Sequence, residues 1–172
     1  MQISTFISQY TNYPVLFIGT GLTLRYLKNS YSWDSLLKKI AFDLTENEHY
    51  YLDIKSRYLK RNKCDYAKIA TDIERDFDNY AHGNHKFDAI NELFYNSIAR
   101  GISVSRFKLY IASILNELNI NTGMDEEILE LKKAGKNISS IITTNYDHLI
   151  ENIFHFKPLI GNDILLSNPY GL

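Results

Sequence analysis

Residues 14–21 read PVLFIGTG, and the fold class follows from how this stretch is bounded. Its first part, Pro14–Ile18, is a continuous apolar run, and Gly19-Thr20-Gly21 follows it directly as a turn. A short apolar run that ends in turn residues is typical of a strand buried on both faces of a parallel sheet. The stretch therefore predicts the first strand of an α/β fold.

A second strand is predicted at Ile138–Thr143 (ISSIIT), where β-branched residues follow the helix C-cap candidate Gly135. The polar segment Thr143–Asp147 (TTNYD) comes next, and a helix is indicated right after it by the apolar residues Leu149, Ile150 and Ile153. Strand, polar turn and helix in this order is where α/β folds place their ligands.

The long section between the two strands has helical periodicity. Apolar residues between Gly21 and Asn121 recur at steps of three and four, which indicates four amphipathic helices, the first opened by the N-cap candidate Ser32. Their apolar positions are Trp33, Leu36, Leu37, Ile40, Ala41 and Leu44, then Tyr66, Ile69, Ala70, Ile73, Phe77 and Tyr80, then Phe87, Ile90, Leu93, Phe94 and Ile98, then Phe107, Ile111, Ile114, Leu115 and Leu118. A shorter helix is expected at about Asp125–Ala134. Together these form a helical insertion over about residues 30–135.

The C-terminal residues add two weaker strand candidates, Pro158–Ile160 and Ile164–Leu166, separated by the turn Gly161-Asn162-Asp163. Four strands do not complete a doubly wound sheet, which usually has about five or six. We therefore expect residues 1–172 to be a single α/β domain with an incomplete, Rossmann-like parallel sheet, truncated on its C-terminal side.

Composition narrows the class of protein without naming a partner. The 172 residues carry 19 basic and 20 acidic side chains, so the formal net charge of -1 gives no overall attraction for nucleic acid or anionic membranes. The single cysteine, Cys64, excludes an intrachain disulfide and a multi-thiolate zinc site. No apolar stretch approaches the length of a membrane span, and Met1–Tyr13 lacks the pattern of a signal peptide, so a cytoplasmic protein is expected.

The glycine turn is the first candidate site. Glycines let a backbone approach a diphosphate, and free amides at a following helix start bind anions. The third glycine of the dinucleotide fingerprint is absent, because position 24 is Leu. A tight structural turn therefore stays open beside a phosphate-binding loop, and a nicotinamide oxidoreductase is disfavoured.

The second candidate site is the polar segment after the second strand. Thr144, Asn145 and Asp147 put an amide and a carboxylate two residues apart, where both can face one crevice. The alternative interpretation is structural: Asn145 as a turn former and Asp147 as the N-cap of the following helix.

Together the segments Gly19–Thr23 (GTGLT) and Thr143–Leu149 (TTNYDHL) resemble the two N-terminal signatures of the sirtuin fold. Residues Tyr26–Ile40 are also similar to the segment that follows the glycine loop in bacterial sirtuin-like defence proteins. Leu24–Leu27 replaces the loop of the protein deacetylases, which points to the NAD-hydrolase branch, with deacetylation as a lesser alternative. The resemblance implies an antiphage effector that cleaves the nicotinamide–ribose bond of NAD, often within an oligomer or a larger complex with a partner protein.

The resemblance also assigns roles to residues. Gly19, Thr20 and Gly21 would hold the diphosphate through their backbone, with Thr23 as a hydroxyl donor and Thr144 beside the cofactor. Asn145 would be the catalytic amide that orients water or ribose, and Asp147 would bond near the ribose or brace the loop. NAD is the substrate in this interpretation, and no metal is needed. The catalytic His of the family is expected after Leu172, so the alternative function is an incomplete NAD- or ADP-ribose-binding or scaffold module.

Two further features are expected to be structural. His148 and His155 are interpreted as surface or packing residues rather than as the missing base. A basic cluster is followed by an acidic run, which could serve a partner but is expected to be a solvated helix pair. The residues are Lys55, Arg57, Lys60, Arg61 and Lys63, then Asp65, Asp72, Glu74, Asp76 and Asp78.

Overall fold

The computed structural model describes residues 5, 14–116 and 119–159 of the chain. The chain divides into two compact units, and the first is discontinuous: it combines Met1–Tyr26 with Ile120–Leu172. The second unit, Leu27–Asn119, is inserted between them. The described residues form helices and a small parallel sheet, which confirms the α/β class.

Within residues 14–26 and 120–159, the first unit contains two strands and three α-helices. Strand β1 spans Val15–Ile18 and is followed by helix α1 at Thr20–Tyr26. After the insertion come helix α7 at Asp125–Ala134, strand β4 at Ser140–Thr143 and helix α8 at Leu149–Phe154. The predicted positions of both strands, of the Asp125–Ala134 helix and of the helix after Asp147 are confirmed.

Strands β1 and β4 pair in parallel, with Val15 opposite Ser140 and Ile18 opposite Thr143. The predicted burial of β1 on both faces is wrong, because Val15 and Phe17 are 54% and 71% exposed. Burial of a strand face requires a layer packed over it, and in the part of the chain that the structure describes β1 and β4 form only a two-stranded sheet. The alternating face with Val15 and Phe17 therefore has no described layer against it.

Gly135 ends helix α7 as expected, but for a different reason from the one that the sequence suggests. Its φ of -56° is ordinary helical geometry, so no left-handed C-cap is formed. Instead, a Cβ built on Gly135 would lie 2.8 Å from Cδ1 of Phe154 in helix α8. The glycine is needed because helix α8 packs directly against the end of helix α7.

The second unit is mostly helical. Its elements in chain order are α2 at Trp33–Thr45, α3 at Glu48–Tyr58, β2 at Leu59–Lys60, β3 at Lys63–Cys64, α4 at Tyr66–Ala81, α5 at Asp88–Ala99 and α6 at Arg106–Leu115. Its core joins the apolar faces of these helices, with Ile40, Ile73 and Phe77 fully buried. Ser32 caps α2, because its Oγ accepts a hydrogen bond from the backbone N–H of Ser35.

All four amphipathic helices predicted for the insertion are present as α2, α4, α5 and α6. Two elements were not predicted: helix α3 and the hairpin formed by β2 and β3. Helix α3 buries only Tyr51 and Ile54, so its sequence has no continuous apolar stripe. The inserted unit ends at Asn119, which places helix α7 in the first unit and not in the insertion.

Four tyrosines in the second unit donate hydrogen bonds from their hydroxyls to aspartates. The pairs are Tyr50 to Asp76 at 2.6 Å, Tyr51 to Asp34 at 2.7 Å, Tyr58 to Asp72 at 2.8 Å and Tyr110 to Asp43 at 2.9 Å. Burial, and then the bond to the aspartate, raises the pKa of Tyr50, Tyr51 and Tyr110 above the ordinary phenol value. These phenols stay protonated while the unit is folded.

Three predictions fall at or beyond the limits of the described residues. Leu118 lies outside them, as does the predicted strand Ile164–Leu166. Pro158 and Leu159 are described and are not in a strand, whereas Ile160 lies outside. Within the described ranges, no helix has the length and apolar character required to cross a membrane.

Candidate functional site

Both predicted site segments start at the same edge of the parallel sheet. Gly19 follows β1 and Thr144 follows β4, and the register aligns the last residues of the two strands, Ile18 and Thr143. The carboxyl ends of adjacent parallel strands are the usual position of ligand sites in α/β folds. The glycine loop, defined as Gly19 together with the start of helix α1 (residues 19–23), and the Asn loop, residues 144–148, therefore meet there. The predicted turn Gly19-Thr20-Gly21 is wrong in part, because Thr20 and Gly21 are the first two residues of helix α1.

Three side chains connect the two loops. The amide nitrogen of Asn145 donates to the backbone carbonyl of Gly19 at 3.2 Å and to Oγ1 of Thr23 at 2.9 Å. Thr23 Oγ1 in turn donates to Oδ2 of Asp147 at 2.9 Å. Because a carbonyl oxygen has no hydrogen to donate, the amide nitrogen of Asn145 must be the atom that faces Gly19. The direction of each bond in this chain is therefore fixed.

Asp147 also stabilises the start of helix α8. Its Oδ1 accepts a hydrogen bond from the backbone N–H of Leu149 at 3.0 Å, while Thr143 Oγ1 accepts one from the backbone N–H of Asn145 at 3.0 Å. The prediction that Asp147 is the N-cap of this helix is wrong by one residue, because the N-cap is His148, whose side chain makes no capping hydrogen bond. Asp147 bonds to the first helical N–H from the position before the N-cap. The other oxygen belongs to the contact between the loops, and of the two roles predicted for Asp147 the bracing one matches this geometry.

Two buried side-chain oxygens in this unit have no hydrogen-bond partner among the described residues: Oδ1 of Asn145 and Oε2 of Glu151. A buried acceptor without a donor costs about 1–3 kcal/mol, so each is a place where a ligand or water donor would be stabilising. Glu151 was not singled out from the sequence. The only sequence feature that could have indicated it is its spacing, three residues after His148 on the predicted helix. In the structure, Nδ1 of His148 lies 3.9 Å from the other oxygen of Glu151.

The glycines of the loop are not required by the backbone. Gly19 and Gly21 are absent from the positive-φ residues, and a Cβ at either position would meet no described atom within 4 Å. Neither a left-handed conformation nor crowding explains them, which weakens the structural-turn interpretation. Open space beside a bare backbone is what close approach of a ligand requires.

The remaining predicted site residues differ in accessibility. Thr20, Gly21 and Thr144 are exposed at the sheet edge, whereas Thr23 is buried. The one hydroxyl hydrogen of Thr23 is directed to Asp147, so its predicted bond to a diphosphate requires a change in this contact. His148 and His155 are exposed, as expected for surface residues.

Helix α1, which carries Thr23, is held against helix α7 by a charged cluster. The Arg25 guanidinium donates to both oxygens of Glu127 at 2.9 and 2.7 Å, and the Tyr26 hydroxyl donates to Glu127 at 3.0 Å. These hydrogen bonds, the one from Arg25 foremost, lower the pKa of Glu127. The planar guanidinium and the carboxylate form a bidentate pair, which fixes the orientation of α1 better than a single contact does.

No group of three or more His, Cys, Asp or Glu side chains suited to a metal ion is found in residues 5, 14–116 and 119–159. The chain matches no protein-family model, no curated protein and no solved structure at a significant level.

Proposed function

We propose that the first unit binds NAD at the edge where the glycine loop meets the Asn loop, and that the protein hydrolyses the nicotinamide–ribose bond there. The proposal starts from the resemblance of residues 19–23 and 143–149 to the sirtuin signatures. The Rossmann-like character of the sheet belongs to the same proposal. A role in antiphage defence, within an oligomer or with a partner protein, rests on that resemblance alone.

The contact between Asn145 and Gly19 is the observation that supports this proposal most. Residues 126 positions apart in the chain are joined by a direct hydrogen bond at the carboxyl edge of the sheet. A turn former would need only local bonds, whereas this amide bridges two loops and still has an unpartnered oxygen. That oxygen is buried in this structure, so it would accept a hydrogen bond from a ribose hydroxyl or a water molecule only after the surrounding side chains shift.

The groups exposed or buried at this edge suggest which part of NAD each residue would hold. The bare backbone at Gly19 and Gly21 would lie against the diphosphate, with no side chain in the way. Asn145 would hold the nicotinamide ribose as the C1′–N bond breaks, the bonding electron pair leaves with neutral nicotinamide, and water adds to C1′. Rigid positioning matters here because the sugar develops positive charge in the transition state. We assign no residue of this unit as the base that takes the proton from water.

A second candidate function is a binding module that holds NAD or ADP-ribose without cleaving it. It is favoured by a specific observation: both hydrogens of the Asn145 amide and both oxygens of Asp147 already bond to the protein. Polar groups engaged in this way would position a ligand and would take no part in proton transfer.

The two candidates are separated by measuring NAD binding and nicotinamide release on the same preparations. We expect Asn145→Ala to weaken NAD binding at least tenfold, because it removes both the bridge to Gly19 and the free acceptor. The matched control is Asn137→Ala, since Asn137 is an exposed asparagine of the same unit. Circular dichroism establishes that both variants are folded.

Release of nicotinamide that disappears in Asn145→Ala supports the hydrolase. Binding without release supports the binding module. Absence of NAD binding, or equal binding by the wild type and Asn145→Ala, overturns both.

A further inference from the structure

We propose that the hairpin tip, Lys60–Lys63, is a docking site for the phosphate backbone of a nucleic acid. The hairpin joins helices α3 and α4, and its four residues read KRNK. This inference concerns the second unit and is independent of the NAD site proposed for the first.

The pairing register places two like charges opposite each other. Lys60 of β2 pairs with Lys63 of β3, and Leu59 pairs with Cys64. Residues that face each other across two antiparallel strands lie on the same side of the ribbon, about 4.5–5.5 Å apart at their Cβ atoms, and like charges in that arrangement are destabilising. A two-stranded ribbon on its own is already marginal. An anion between the two ammonium groups would remove this conflict.

The turn adds a third cation in an unfavourable backbone conformation. Arg61 and Asn62 have φ angles of 46° and 63°, as a type I′ turn requires at both central positions. Asparagine tolerates this left-handed region, whereas arginine rarely adopts it. Backbone strain of this kind is concentrated at functional sites, which makes Arg61 a candidate contact for the anion.

Other cations around the hairpin have partners, and those of its tip do not. Arg57 and Arg75 pair with Asp72, Lys55 pairs with Asp34, and Lys68 pairs with Asp65. Lys60, Arg61 and Lys63 are exposed, and none of them forms an ion pair among the described residues. Three adjacent cations are therefore available to an outside anion.

Nucleic acid fits this tip better than an acidic protein. Aromatic residues and arginine are enriched and lysine is depleted at protein interfaces, and the tip has two lysines, one arginine and no aromatic residue. The acidic run of a second copy is a weaker source of the anion, because each of its carboxylates already bonds to a group of its own chain. Asp65 bonds to Lys68, Asp72 to Tyr58, Glu74 to Ser105, Asp76 to Tyr50 and Asp78 to the backbone N–H of Arg106. Closely spaced cations with an amide at the tip suit phosphates along a strand.

The test measures binding of the full chain to a short fluorescent DNA duplex and to the corresponding single strand as a function of salt. The variant Lys60→Gln/Arg61→Gln/Lys63→Gln is expected to lose at least tenfold in affinity, and the slope of log affinity against log salt should fall by about 2–3 for the duplex. The control Lys38→Gln/Arg100→Gln/Lys108→Gln makes the same change in net charge at three scattered exposed positions of the same unit and should retain most of the affinity.

Arg61→Gly distinguishes a binding role from a structural one. Glycine adopts the left-handed conformation without strain, so the melting temperature should rise while the affinity for DNA falls. A structural role for Arg61 would instead lower both.

Three results overturn the proposal: no binding of either DNA at moderate salt, equal loss in the hairpin and control variants, or tighter binding of polyglutamate than of DNA. The last result would identify an acidic protein as the partner.

Discussion

The hydroxyl of Thr23 connects the glycine loop to the Asn loop by hydrogen bonds. Thr23 is 6% exposed, accepts a hydrogen bond from Asn145 and donates one to Asp147. A buried group in the middle of such a chain cannot be replaced by an apolar one without leaving both neighbours unsatisfied. The geometry of Asn145 thus depends on a side chain that does not itself need to touch a ligand.

We predict that Thr23→Val, which keeps the shape of the side chain and removes its hydroxyl, lowers the free energy of unfolding by about 1–3 kcal/mol. Thr23→Ser keeps the hydroxyl and is the matched control, with a loss of about 1 kcal/mol for the methyl group. Urea denaturation followed by circular dichroism measures both. A valine variant as stable as the wild type would contradict the proposed bonding chain.

Gly21 allows stability and ligand binding to be separated. Its φ is not positive and a Cβ there would meet no described atom within 4 Å, so Gly21→Ala fits the folded chain. Alanine in a helix is favoured over glycine by about 0.5–1 kcal/mol, so the variant should be equally or more stable. If the diphosphate lies against this backbone, NAD binding should weaken at least tenfold, as isothermal titration calorimetry would measure. A less stable variant that binds NAD normally would disprove both parts.

The sequence predicts where the backbone of the candidate site lies, but it does not predict the hydrogen bonds between its side chains. The resemblance assigns Gly19, Asn145 and Asp147 to one NAD site, and in the structure Asn145 bonds to Gly19 while Asp147 bonds to Thr23. The bond from Thr23 to Asp147 could not be predicted, because it depends on how far helix α1 rotates a side chain toward the other loop. The unpartnered Glu151 oxygen also depends on packing that no local pattern specifies.

At the scale of elements, helices with a strong apolar periodicity could be predicted from the sequence, and the helix with a weak one could not. Helix α4 has a continuous apolar stripe, with Ile69, Ile73 and Phe77 fully buried, and was predicted from it. Helix α3 has mixed faces, with Leu52 52% exposed, so its pattern matched no template. The hairpin was missed because strands of two residues are too short for an alternation to be read.

The contact between helices α7 and α8 gives a prediction about Gly135. Gly135→Ala puts a methyl group 2.8 Å from the Phe154 ring, and overpacking of this kind costs about 1–3 kcal/mol. The helical φ of Gly135 would otherwise make alanine favourable by about 0.4–1 kcal/mol, so the net effect is destabilising. Thermal unfolding should show a lower melting temperature for Gly135→Ala and partial recovery when Phe154→Leu is added. Recovery would be absent if the loss came from the backbone.

At the scale of the molecule, we expect the free energy of unfolding to fall at alkaline pH, because three tyrosines of the second unit are wholly or partly buried. The pKa values of Tyr50, Tyr51 and Tyr110 are raised above the ordinary phenol value of about 10, chiefly by burial and then by bonds to aspartate. A group whose folded pKa is raised contributes stability that is complete below its unfolded pKa and is lost as the pH rises through the folded value. The free energy of unfolding should therefore fall as the pH rises above 10.

Tyr110→Phe should reduce this dependence on pH, since it removes one of the titrating groups. Urea denaturation at a series of alkaline pH values measures the slope, and the same experiment at neutral pH gives the cost of the lost bond to Asp43. An unchanged slope would show that Tyr110 does not hold its proton more tightly in the folded state.

The discontinuity of the first unit has a consequence for its synthesis. On the ribosome, β1 emerges long before β4, and it stays without its partner strand until the whole of Leu27–Asn119 has been made. The inserted unit can fold during this interval, and its ends are held together by the 2.7 Å bond from the Lys28 backbone N–H to the Asn119 carbonyl. Each halving of the effective loop lowers the entropic cost of closure by about 0.6 kcal/mol. An insertion that folds first, with its ends together, would therefore lower the entropic cost of pairing β1 with β4.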